Sequence, residues 1–163
     1  MSNTYIDDTA IVENASSLED GVKIWNWTKV RSTAKIGAET SIGQCCYIDG
    51  NVQIGKNCKI QNGVQIYNGV TIGDDVFVGP NVTFTNDKTP RAHGDWDITE
   101  TTIENGVSIG AGSVIVCGIT LGNNCMIGAG SVVAKDVPEN ALVIGNPARV
   151  VGTVEKDGKR KLA

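Results

Sequence analysis

The chain has 163 residues, 40% of them hydrophobic, and a formal charge of −4 at pH 7. Its pI of about 4.9 argues against nucleic acid as the main partner, and its length fits one domain. No run approaches the ~18 apolar residues of a membrane span, and Met1-Ser2-Asn3-Thr4-Tyr5 has no basic segment leading into an apolar core, so neither a span nor a secretory leader is expected, and the cytoplasm is the expected location.

From Ile6 onward an apolar residue returns every six positions: Ile6, Val12, Leu18, Ile24, Val30 and Ile36, then Ile42 through Ile72, Val78 and Phe84. After a break the beat resumes at Ile103, Ile109, Ile115, Leu121, Ile127 and Val133. All 20 such positions are apolar in a chain that is 40% hydrophobic. Chance would give that about once in 10^8 trials, so the chain is an internal repeat. A period of six suits neither a helix nor a simple alternating strand, but it does suit a short strand followed by a turn. Places one and five then point inward together. The fifth places, from Ala10 and Ser16 to Val137, are small or β-branched, as a narrow interior requires. Places three and four are rich in Asn, Asp and Gly, the turn formers. Three units, 18 residues, make one coil of a three-sided β-helix, with coils about 4.8 Å apart in parallel register.

In chain order, Trp25 and Trp27 fall on outward places of an early coil. Subunit packing is the expected use, with stacking on a ligand base as the other. Asn62 falls on a turn and Tyr67 on an outward place. The beat stops after Phe84. Residues 86–102 would put Pro90, Trp96 and Thr102 on core places, so they form an excursion instead, holding Asp87, Lys88, Arg91, His93, Asp95, Asp97 and Glu100. A charged, aromatic loop on a rigid scaffold is where function tends to sit. Two glycine-rich coils follow, with Gly110-Ala111-Gly112 and Gly128-Ala129-Gly130 at turns small enough for a ligand to lie against backbone. The repeat is expected to end at Pro138, leaving residues 139–163 as an extension whose charged tail, Glu155 to Lys161, is expected to be mobile.

Of five cysteines, Cys46, Cys58 and Cys125 fall on inward places and read as core fillers, while Cys45 and Cys117 fall on turn or outward places where a thiol could react. Metal-type spacing is missing and His93 is the one histidine, so no metal is expected.

The chain resembles the hexapeptide-repeat acyltransferases over nearly its whole length, through the repeat, the single late loop and the closing Gly145-Asn146-Pro147-Ala148-Arg149. The resemblance implies an all-β, left-handed parallel β-helix, with coils over about 6–85 and 103–138, a homotrimer, and acetyl-CoA as donor. Handedness rests on the resemblance alone, since the usual crossover rule points the other way. Within the family the chain is similar to the nucleotide-sugar 3-N-acetyltransferases that modify UDP- or dTDP-linked 3-amino sugars for bacterial surface polysaccharides. Trp25, Lys59-Ile60-Gln61-Asn62, Tyr67, Gly79-Pro80-Asn81-Val82-Thr83-Phe84-Thr85-Asn86-Asp87, Pro90-Arg91 and Ile115-Val116-Cys117-Gly118 carry that likeness.

The resemblance implies Asn86 at the reacting centre and Arg91 in the active-site loop; Asn62, Tyr67, Lys88 and His93 are expected as further contacts to a nucleotide sugar. It implies donor contacts in the late coils and at Arg149; the residues expected to make them are Gly110, Ala111, Cys117, Gly118 and Ala129, with Lys135 as a further cation for the phosphates. After Arg91, the stretch Ala92-His93-Gly94-Asp95-Trp96-Asp97 departs from the pattern. An amine acceptor needs no strong base, whereas a hydroxyl acceptor does. With His93 as base, the chain reads instead as a sugar or serine O-acetyltransferase. A purely structural β-helix would show a flat row of repeated outward residues, and the outward places here are varied.

Overall fold

Nearly every six-residue unit forms one strand of two or three residues and one turn, the units of Leu18 and Val137 making single bridges instead, and three units close one coil. The structure, a computed structural model, describes residues 4–155 and 158–162; Met1 to Asn3, the side chain of Ser16, Lys156, Asp157 and Ala163 lie outside it. The strands stack into three sheets of 10, 7 and 5 strands, which are the three faces of a parallel β-helix. The first face runs from Tyr5–Ile6 through Lys23–Ile24, Ser41–Ile42 and Lys59–Ile60 to Ala141–Gly145. The second runs from Ile11–Val12 to Val132–Val133 and the third from Lys35–Ile36 to Thr120–Leu121.

The inferred places hold. Ile24, Ile42 and Ile60 are buried in a column on the first face, Ile48 and Ile66 in one on the second and Ile36 in one on the third, and Val22, Val52, Val64, Val76 and Val82 fill the fifth places beside them. Inward hydroxyls are satisfied in place: Thr28 Oγ1 donates to the Gly43 carbonyl at 2.6 Å and accepts from the Cys46 N–H at 3.0 Å. Place four turns the chain with positive φ at Asn51, Asn57, Asp75, Asn81 and Asn124, and at glycines such as Gly63, Gly112 and Gly130. Trp27 adopts the same conformation at φ 54°, against the preference of a bulky residue.

Three expectations need correction. Cys117 is not outward but fully buried, and it lies outside the central core because the excursion folds over it. The excursion ends before Thr101, since Thr101–Ile103 is a strand of the third face. There Ile72 pairs with Ile103, 31 residues on where other coils are 18 apart, so 13 residues are inserted at a single corner. Finally, the extension is structured. Ala141–Gly145 adds one more parallel rung to the first face, and Ala148–Val154 and Arg160–Leu162 return as antiparallel strands. Of the charged tail, Arg160 and Lys161 are paired in a strand, and Lys156 and Asp157 lie outside the described residues. No helix among the described residues is long and apolar enough to cross a membrane.

Candidate active site

The excursion leaves the corner between the second and third faces. Its root is closed by the Thr99 N–H, which donates to the Asn86 carbonyl at 2.9 Å, and by the Thr101 N–H, which donates to the Gly69 carbonyl at 2.9 Å. Both neighbouring glycines are needed. A Cβ on Gly69 would meet Ile98 Cγ2 at 2.8 Å, and one on Gly118 would meet Thr99 Cγ2 at 2.8 Å and the Lys88 side chain. The Cys117 N–H donates to Thr85 Oγ1 at 3.0 Å, and the Gly118 N–H donates to Thr101 Oγ1 at 3.1 Å, so two hydroxyls stitch the coil above to the root.

Asn86 is 8% exposed, yet its side-chain amide makes no hydrogen bond to any described residue. No buried side-chain nitrogen or oxygen lacks a partner among the described residues. The amide therefore ends at the surface, carried on a residue whose carbonyl accepts the Thr99 N–H across the root of the excursion. Beyond the root, residues 88–98 are exposed throughout. Asp87 Oδ1 caps the Thr89 N–H at 2.7 Å, and among the described residues Arg91 donates only to the carbonyl of Pro90. His93 sits beside Gly94 with no hydrogen bond to orient its ring among the described residues. Tyr67 lies one coil below Thr85, with its ring centroid 5.7 Å from that of Tyr47.

The small-residue turns stand on a different corner, between the first and second faces. Gly110 is there because the coil above is close: a Cβ on it would meet the Ala129 backbone nitrogen. On the corner between the third and first faces, third-place N–H groups are capped by side chains. Asp74 Oδ1 takes the Lys56 N–H at 3.0 Å, Asn105 Oδ1 takes that of Asp74 at 2.8 Å, and Glu104 takes that of Asn123 at 2.8 Å. At Ala111 and Ala129, no described acceptor takes the equivalent N–H, and both residues are exposed. One coil below Ala111 the third place is Pro80, which has no N–H to offer. Asn62 is on this corner too, with Oδ1 accepting the Gln44 N–H at 3.0 Å, so its oxygen is committed to the scaffold and its amide nitrogen is left to meet a ligand.

At the C-terminal end of the stack, Lys135 and Arg149 line one groove of about 350 Å³. Ile144 packs on Gly128 and pairs with Arg149 across the terminal hairpin.

In one protomer the expected site thus falls in two parts. Tyr67, Asn86, Lys88, Arg91 and His93 share their corner with Cys117, Gly118 and Lys135. Asn62, Gly110, Ala111 and Ala129 share the other, across the width of the second face. Cys117 is wholly buried with its N–H committed to Thr85, so it presents nothing to a ligand here, contrary to its expected place among the donor contacts. The thiols are inert by burial, which pushes Cys46 up to about 11 and Cys125 up to about 12 and raises Cys58 as well. Cys45 alone is exposed.

The Asn62 cap, the Lys88–Gly118 contact and the open N–H groups were not singled out from the sequence. Counting positions in steps of 18 would have sorted the residues by corner. The uncapped N–H groups needed only the observation that Ala111 and Ala129 stand where other coils carry Asn, Asp or Gln.

The bacterial transferase hexapeptide model (six repeats) matches residues 51–86 and 100–135, and the model for the hexapeptide repeat of succinyl-transferase matches 33–68. The chain is 44% identical over 54 residues to a dTDP-3-amino-3,6-dideoxy-alpha-D-galactopyranose 3-N-acetyltransferase of Aneurinibacillus thermoaerophilus, covering 33% of this chain and 28% of that protein. In structure it is similar to a maltose O-acetyltransferase from Clostridium difficile 630, with 31% identity, a TM-score of 0.66, and 74% and 70% of the two chains covered. The fold is shared with the acetyltransferase domain of PglB from Neisseria gonorrhoeae FA1090, solved with acetyl coenzyme A, at 20% identity, a TM-score of 0.70, and 80% and 57% covered. Repeat, coil geometry and these matches agree: the chain is a left-handed β-helix and belongs to the hexapeptide-repeat acetyltransferase family.

Proposed function

We propose that the protein transfers the acetyl group of acetyl-CoA to the amino group of a nucleotide-linked amino sugar, as a cytoplasmic homotrimer serving bacterial surface polysaccharide synthesis. The observation that carries this reading is Asn86: a rooted residue with an uncommitted amide at the base of the single excursion. The two corners are brought together when the loop corner of one protomer faces the small-residue corner of the next in a closed ring. The donor then lies between subunits, with its pantetheine amides accepting from the Ala111 and Ala129 N–H groups. Its phosphates meet Arg149 and Lys135. Asn86 stands one coil above Asn62 and one below Ala111, between acceptor and donor.

The chemistry asks little of a base. The neutral amine attacks the thioester carbonyl, so a C–N bond forms and the carbonyl electrons move to oxygen. The oxyanion collapses, the C–S bond breaks, and the thiolate leaves with the proton the amine gives up. A leaving thiol of pKa about 8.5 needs no strong acid. What the chain supplies is orientation and a donor for the oxyanion, for which the Asn86 amide suffices.

The match to a maltose O-acetyltransferase favours a second reading, O-acetylation with His93 as base. Against it stands a ring that nothing orients. Acetyl-CoA with a panel of UDP- and dTDP-amino sugars, read by product mass, tests the proposal: acetylation on nitrogen supports it, and acetylation of hydroxyls alone overturns it.

A further inference from the structure

We propose that the cleft beneath Trp25 is the site that grips the nucleotide of the acceptor. Trp25, Asn26, Ser41, Gly43 and the run from Ile60 to Asn62 bound a depression of about 240 Å³ on the corner of the first and second faces. Trp25 is 42% exposed but not loose, since its Nε1 donates to Ser41 Oγ at 3.2 Å and its ring packs on Tyr5 at 5.2 Å. A rigid half-exposed indole offers a stacking surface at low entropic cost. The side-chain amides of Gln44 and Gln61 make no hydrogen bond to any described residue, so they remain to read the edge of a planar base.

The charge is also in place. Lys23 and Lys59 are the cross-strand neighbours of Ser41 on either side, both are exposed, and neither forms an ion pair among the described residues. An aromatic wall, free amides and two uncompensated cations together fit a base that carries phosphate. They suit a protein interface less well, since interface cores are depleted in lysine. Trp27, 65% exposed on the corner itself, is left to meet the neighbouring subunit. The upper edge of the cleft, at Asn62, lies two coils, about 10 Å, below Ala111, and Trp25 lies four coils, about 19 Å, below it. A nucleoside diphosphate seated there reaches with its sugar toward the level of Asn86.

This assignment rests on the reading of the acceptor as nucleotide-linked. Two ligands of the reaction carry a nucleotide, the acceptor and CoA, and binding separates them. Isothermal titration of the intact protein with UDP, dTDP, GDP and CoA is compared for wild type, Trp25→Ala and the doubly substituted Lys23→Ala/Lys59→Ala, with light scattering on each. The expected result is that at least one nucleoside diphosphate binds wild type, that both variants raise its Kd about tenfold or more, and that the Kd of CoA and the particle size stay unchanged. The exposed lysine pair keeps the test valid if loss of the indole disturbs folding. Diphosphate binding that neither variant weakens overturns the cleft and leaves the proposed reaction standing. Loss of CoA binding instead gives the cleft to the donor, and a smaller particle for Trp25→Ala gives the indole to subunit packing; either result overturns the assignment. If no nucleoside diphosphate binds wild type, both the cleft and the nucleotide-linked acceptor fall, while acetylation of a free amino sugar would preserve the amine chemistry.

Discussion

The Thr99 N–H and the Asn86 carbonyl meet at 2.9 Å and close the excursion at its first and last ordered rungs. Asn86 is thus tied through its carbonyl to the far end of the excursion, while its side-chain amide bonds to no described residue. Everything from Lys88 to Ile98 hangs beyond it, exposed.

The open N–H groups give a prediction that backbone chemistry alone can test. Ala111→Pro removes one donor, and the proline directly below, Pro80, shows that this corner accommodates the ring after a glycine. The variant should fold with unchanged thermal stability to within a few degrees. Its Kd for acetyl-CoA should rise about three- to tenfold, the worth of one neutral hydrogen bond. An unchanged Kd in a folded variant would take Ala111 out of the donor site.

Arg149 and Lys135 share one groove at the end of the stack. Arg149→Ala should weaken acetyl-CoA binding by about 1–2 kcal/mol if it pairs with a phosphate. The loss should shrink as salt is raised, because exposed charges are screened. Titration at low and high ionic strength checks both statements, and a loss indifferent to salt would point to packing rather than charge.

The thiols divide cleanly by burial. Raised pKa values mean less thiolate at a given pH, so at pH 8 the buried Cys46, Cys58 and Cys125 stay protonated and unreactive, and Cys117 is shielded by the loop root. Alkylation of the native protein should label Cys45 alone, with all five cysteines labelled after denaturation. Mass spectrometry of the labelled peptides reads the result, and rapid labelling of Cys117 would mean that the root opens in solution.

Much of this was legible in the amino acids, for a reason that is specific to the fold. A coil of 18 residues returns each place to the same physical environment, so Ile36, Ile54 and Ile72 report one column three times over. A single exception, such as Trp27 at a turn, cannot hide the rule. Cys117 was misplaced because its burial depends on the excursion, which obeys no period. The last strands escaped notice because Arg160 to Leu162 is held by antiparallel backbone pairing to Gly152 through Val154, and no apolar beat marks it. Site residues could be named singly, but their division between two corners came only with the coil geometry. Asn62 and Tyr67 are five residues apart in sequence and lie at opposite edges of the second face.

The central claim is that catalysis depends on the Asn86 amide and not on a base. Steady-state turnover of Asn86→Ala and His93→Ala with acetyl-CoA and the best amino-sugar acceptor tests it most directly. Losing one oxyanion donor costs about 10²–10³ in kcat, and an unoriented loop histidine should matter little. The account predicts a loss of about 100-fold or more for Asn86→Ala and of less than about tenfold for His93→Ala. A dead His93→Ala beside an Asn86→Ala that keeps most of its activity would contradict the base-free mechanism and make O-acetylation the reaction.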